Sequence, residues 1–229
     1  LEQLTRSTDG VYATLAAQRH RRFIKSHTPL DGVPIHDDVS YVCVGRDPRD
    51  AAVSMLHHSD NMDREVWSRL IGKEPPLTED TPQSRTTEER IGGWLEGGPY
   101  PDWSPRFVLH HYRTFWEHRR LPNVALFHFD DYRRDLPGQM QRLAAHLDIG
   151  ITPERAAELA EEAGLERARS RAADIAPEAH FGLWKDDRRF FRSGRSGEWR
   201  EVMTPEQQQR YEEIVAEEVP DDLAHWVHH

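Results

Sequence analysis

The sequence predicts an α/β fold built on a parallel sheet, and three observations lead there. Short β-branched and aromatic runs recur along the chain, helical patterns separate them, and no hairpin turn joins any two. The runs are Phe23-Ile24, Tyr41-Val42-Cys43-Val44 and Val124-Ala125-Leu126-Phe127, the last continuing to Phe129. Each is brief and largely apolar, as strands buried on both faces are. Asp47 reads as a helix cap with Pro48 at the first helical position, leading into Ala51, Ala52, Met55 and Leu56. Helical stripes follow at Phe107, Val108, Tyr112, Phe115 and Trp116, then at Met140, Leu143 and Leu147, then at Ala156, Leu159 and Leu165. Residues 204–215 read as a capped helix with Tyr211 and Ile214 on its apolar side. These Met and aromatic stripes are assigned to the core. Residues 73–90, polar and broken by proline, read as a mobile surface loop within one domain spanning 1–229.

Composition narrows the function. The 229 residues suit one large domain. Thirty basic residues against forty acidic ones leave a net charge of −10, a poor match to nucleic acid or an anionic membrane. Apolar residues are only 37%, yet seven Trp supply bulk for a core. No apolar run reaches the roughly 18 residues of a membrane span, and the opening residues lack a secretory signal. Cys43 is the sole cysteine, which excludes an internal disulfide and a multi-cysteine zinc site. A soluble, reduced, cytoplasmic protein is expected. The fourteen histidines include adjacent pairs, but no acidic partner recurs at ligand spacing, so no metal is expected.

Three segments carry candidate chemistry. At Gly45-Arg46-Asp47-Pro48 a strand ends as a helix opens, with Ser54 further along that helix. Ligands of open α/β sheets bind at the carboxyl ends of strands, and a helix start favours an anion. Physics alone reads this as a phosphate site or as an Arg capping a strand. The second segment, residues 190–200, sets Arg192, Arg195 and Arg200 around Gly194 and Gly197. Flexible backbone with guanidinium forks suits a phosphate, and a solvated surface loop reads equally well. In the third, Lys25 and His27 stand two apart on an extended chain and point to one face. That sets a fixed cation beside a side chain suited to general-base work near neutral pH; a structural role for the pair is the alternative. Only Lys25, Lys73 and Lys185 are lysines among the thirty basic residues.

Taken in order, these segments resemble the cytosolic-type sulfotransferases, with the bacterial glycolipid-type members nearest in flavour. Those enzymes transfer a sulfuryl group from 3′-phosphoadenosine 5′-phosphosulfate (PAPS) to a hydroxyl or amine. Lys25-Ser26-His27 looks like the family's Lys-Thr-His element. The stretch from Arg46 through Pro48 and Asp50 to Ser54 is similar to its 3′-phosphate element. Residues 192–200 resemble its late Gly-rich signature, and residues 126–131 match the strand before its Tyr-Glu-Asp turn. The resemblance implies a P-loop-NTPase-like three-layer fold. It makes His27 the general base and Lys25 a cation at the leaving phosphate. Arg46, Ser54, Arg192, Ser193 and Gly194 would hold the 3′-phosphate, with Phe129 near adenine and His111 near the acceptor. PAP is the product, no metal is required, and a glycolipid or small molecule is the acceptor.

The departures are equally specific. The family's first strand and phosphosulfate loop have no counterpart before Lys25, and the expectation is that the sequence is an N-terminally shortened chain with little transferase activity as it stands. The alternative is a non-catalytic nucleotide-binding relative; a P-loop phosphotransferase is disfavoured because no Walker-type Gly-Lys-Ser/Thr occurs. Ser193 replaces a basic residue, Glu198 an Asp and Phe129 a Tyr. The family's dimer motif is reduced to Arg200, Thr204, Pro205 and Gln209.

Overall fold

A computed structural model of the chain describes residues 8–72, 84–97 and 103–229. Its sheet, among the described residues, is a parallel pair: β1 (Tyr41–Gly45) beside β2 (Val124–His128), with Tyr41 opposite Val124 and Gly45 opposite His128. Parallel neighbours require a long crossover. Here it is helical, and the elements follow as α1 (Thr8–Ala17), then after β1 as α2 (Pro48–Asn61), α3 (Arg64–Ile71), α4 (Thr87–Leu95) and α5 (Pro105–Glu117). After β2 come α6 (Phe129–Arg134), α7 (Leu136–His146), α8 (Pro153–Glu162), α9 (Leu165–Ser170) and α10 (Ala172–Ile175). Short 3-10 turns then lead to α11 (Pro205–Glu218) and α12 (Asp221–Val227).

The helix starts obey local chemistry. Asp47, Ser104 and Thr204 each accept a backbone N–H of the following turn, and a proline stands at the first helical position in each case. The core joins Cys43 and Val124 of the sheet to Leu109, Tyr112 and Phe115 of α5 and to Tyr211 and Ile214 of α11. Burial pushes the Cys43 thiol up to about 12, which leaves it an inert core group.

Three expectations need correction. Phe23-Ile24 is not a strand: it is irregular, with Phe23 74% and Ile24 91% exposed. A β-prone run becomes a strand only where another backbone pairs with it, and none does here among the described residues. The polar stretch 73–90 is not a loop throughout. Thr86 and Glu89 form a reciprocal capping box and α4 begins at Thr87; residues 73–83 lie outside the described residues. Phe129, read as the end of a strand, opens α6, because the His128 imidazole caps that helix.

Candidate active site

The site is organised by α2, whose N-terminus lies at the carboxyl end of β1. Gly45 closes the strand where a Cβ would stand 2.3 Å from the Trp226 ring, so only glycine fits. The backbone of Arg46 is held by one phenol: Arg46 N–H donates to Tyr112 Oη (3.2 Å), and that hydroxyl donates to Arg46 O (3.1 Å). The Arg46 guanidinium lies over the Phe129 ring (4.4 Å to its centre) and donates from Nη2 to the backbone oxygen of Arg195 (2.9 Å). It thus ties both strand ends to the Gly-rich segment. Burial draws its pKa down, opposed by Asp50, Glu198 and Asp130. Its Nε is buried without a hydrogen-bond partner among the described residues. A buried charged donor left open calls for an acceptor, and an anionic oxygen supplies one.

The Gly-rich segment is docked on the first turn of α2. The Asp50 carboxylate accepts N–H bonds from Gly197 (2.6 Å) and Trp199 (3.3 Å). Burial raises the Asp50 pKa, and those two bonds act against it. Arg49 pairs with Asp47 (2.6 Å) and lies flat over Trp199 (3.6 Å). Gly194 and Gly197 take left-handed backbone (φ 60° and 83°), the conformation glycine adopts without strain. Ser54 is half-buried one turn beyond Asp50, on the same face of α2. His57 follows; burial, then the Arg192 charge, lowers its pKa.

Within the segment, positive charge meets an internal counter-ion. Glu198 receives the Arg192 guanidinium and the Ser193 hydroxyl (2.9 Å). Burial favours its neutral form, but these hydrogen bonds prevail and its pKa falls. Ser196 donates to Asp130 at the start of α6 (2.6 Å). The Arg192 charge adds to burial in lowering the Arg46 pKa. The structure therefore brings Arg46, Phe129, Arg192, Ser193 and Gly194 together at one corner.

The opposite face of α2 is apolar. Pro48, Ala51, Ala52 and Met55 line a hollow of about 220 Å³ that also receives His27, His111 and Trp103. The His27 ring lies 5.2 Å from that of Trp103. Burial, then the nearby histidines His27 and His110, lowers the His111 pKa. Lys25 is exposed and is not among the lining residues, so the structure unites His27 with His111 but does not bring Lys25 in with them. Other histidines have structural duties: His128 caps α6, His118 bonds Thr114 O (2.7 Å), and His58 packs against Trp184 and Phe190.

A family model described as "Sulfotransferase domain" matches residues 1–222. The chain belongs to the sulfotransferase family. It is 44% identical over 248 residues to a glycolipid sulfotransferase of Mycobacterium bovis (strain BCG / Pasteur 1173P2), spanning all of this chain and 76% of that relative. An amine sulfotransferase of Oryctolagus cuniculus is 22% identical over 211 residues, 87% of this chain and 62% of its own length. Among solved structures, retinol dehydratase in complex with androsterone and inactive cofactor PAP superposes with a TM-score of 0.69. It has 26% identity, covering 91% of this chain and 57% of its own. A mouse sulfotransferase complexed with PAP gives 0.70 at 22% identity, covering 94% of this chain and 72% of its own; that likeness bears on the fold alone.

In this sulfotransferase, several contributors escaped sequence reasoning. Asp50 lies inside the stretch similar to the 3′-phosphate element but has no role legible in sequence, because an acidic residue in a first helical turn ordinarily only complements the dipole. Tyr112 read as core, and its hydroxyl turns out to hold Arg46. The Asp-to-Glu departure at Glu198 was the one visible signal of the ion pair with Arg192.

Proposed function

We propose that the protein transfers a sulfuryl group from PAPS to a hydroxyl of a glycolipid or small-molecule acceptor in the cytoplasm. One observation carries this reading: α2 is a shared wall, with an anion-seeking cluster on one face and a His27-bearing apolar hollow on the other. The glycolipid class follows the mycobacterial relative's name. Arg46, with its open Nε, fits a phosphate; Arg192, Ser193, Gly194 and Ser54 complete the grip on the 3′-phosphate, and Phe129 lies beside adenine. The donor supplies the sulfuryl group. His27 takes the acceptor's proton as the new oxygen–sulfur bond forms and the bond from sulfur to the phosphate oxygen breaks. Fixed cations lower the cost of charge on that oxygen; Lys25 is assigned to this role by its place two residues before His27. Aromatic and aliphatic walls keep water from the reacting oxygen.

Calorimetry with PAP against ADP, paired with transfer of labelled sulfate from PAPS to a glycolipid, tests the reading. PAP is expected to bind at least about tenfold more tightly, the return on one charge-assisted phosphate contact of ~1.5–3 kcal/mol. Equal affinities would remove the 3′-phosphate site. Tight PAP binding with no transfer to any hydroxyl would favour a non-catalytic nucleotide-binding protein.

A further inference from the structure

Arg46 occupies the one position between β1 and α2, for Gly45 closes the strand and Asp47 caps the helix. A residue at such a corner stands outside both ladders, so its amide and carbonyl need partners from another part of the chain. Its side chain makes a further demand. Arg46 Nε, buried without a partner among the described residues, can meet an anion only where the guanidinium is aimed. The tip of that side chain is fixed by the Phe129 ring and by Arg195 O, contacts that do not reach its root. A binding group must be held within about 0.5 Å of its working place, which takes locked neighbours at both ends.

One atom holds that root. Tyr112 Oη accepts Arg46 N–H at 3.2 Å and donates to Arg46 O at 3.1 Å, so a single phenol commits its donor and an acceptor site to one residue. Its ring, 7% exposed, meets the Trp226 ring edge-on at 5.9 Å, and Trp226 fills the space that Gly45 leaves by having no side chain. The end of β1, α5 and α12 are thus packed together about the corner. Burial pushes the Tyr112 hydroxyl pKa up, so the proton it donates stays in place. The same residue lines the hollow with His27 and His111. Tyr112→Phe therefore keeps that wall and the core packing while deleting the hold on Arg46.

We infer that Tyr112 is a positioning residue for nucleotide recognition: it fixes the Arg46 backbone so that Arg46 Nε meets the anion, and it thereby sets the preference for a nucleotide carrying a 3′-phosphate. The inference rests on the proposed phosphate role of Arg46 and deepens it.

Calorimetry on the full chain, parent against Tyr112→Phe, compares PAP with AMP, which is PAP without its 3′-phosphate. PAP affinity is expected to fall roughly three- to tenfold, the scale of one net hydrogen bond, with AMP affinity unchanged. In an Arg46→Ala background the same change should leave PAP affinity where it is, although it lowers unfolding stability in both backgrounds. Equal losses for PAP and AMP, or the same loss of PAP affinity in both backgrounds, would make Tyr112 a packing residue and overturn the inference. A parent with equal affinity for the two nucleotides is a separate outcome: it removes the phosphate role of Arg46, and the inference goes with it. NMR of the Arg46 Nε–H, identified by its disappearance in Arg46→Ala, gives a readout without ligand. Its exchange with water should quicken in Tyr112→Phe, and an unchanged rate would overturn the positioning role.

Discussion

The Gly-rich segment at 192–200 and the His27 segment at 25–31 lie on two sides of α2 and are held in contrasting ways. The former is pinned by carboxylates: Asp50 takes two backbone N–H groups, Asp130 takes the Ser196 hydroxyl, and Glu198 takes Arg192. The latter is mostly exposed, with Leu30 buried, and is held from a single helix by one hydroxyl and one imidazole. Under the proposed function, the contrast suits the two partners. A phosphate has fixed shape and charge, so rigid donors pre-set for it cost no reorganisation on binding. An acceptor of variable shape is better met by an apolar hollow and one oriented base.

The contrast breaks most visibly in the rate. His27→Ala should cut turnover by about two to four orders of magnitude, the usual worth of a general base, with PAP affinity unchanged by calorimetry. Activity within tenfold of the parent would remove His27 from that role. Next, Asp50→Ala should strip the Gly-rich segment of its anchor and leave two N–H groups without their acceptor. A loss of ~1.5–3 kcal/mol in denaturant unfolding is expected, together with weaker PAP binding. If stability falls but PAP binds as before, the docking of this segment is irrelevant to the phosphate site.

Arg46→Ala should weaken the phosphate grip and also release the tie to Arg195 in the Gly-rich segment. PAP binding is expected to weaken by roughly 1.5–3 kcal/mol, and an unchanged affinity would put the phosphate elsewhere. The smallest effect concerns acid. The Glu198 pKa is lowered in the folded protein, so its stabilising contribution is present above the carboxylate's unfolded value and fades as pH falls through the folded one. Glu198→Gln should flatten that acid limb of a thermal melt series without PAP, and an identical limb would mean that the Arg192 pair contributes nothing to folding.

Much of the frame was legible because its causes are local. Asp47-Pro48 announces α2 through a side-chain cap and a ring with no N–H to lose, and β-branched Val42 and Val44 announce β1. Candidates Arg46, Arg192 and Gly194 could be chosen for the chemistry they carry. Phe23-Ile24 shows where this reasoning stops: its composition equals that of a strand, but pairing is decided by a second backbone. Residue 198 was visible as a departure, while its bond to Arg192 depends on how two left-handed glycines turn the chain between them.

Residue order alone thus determined the helix starts, both strands that form, the acidic overall charge and the chemical identity of the groups near the site. Tertiary structure alone decided that the Asp50 face of α2 would meet the Gly-rich segment and that its Ala51 and Met55 face would meet the His27 hollow. It also decided that His27 and His111, far apart in sequence, would line one hollow. The physical reason is range: caps and propensities act within a turn or two, whereas a site is assembled by packing, which joins distant segments only once the core has closed.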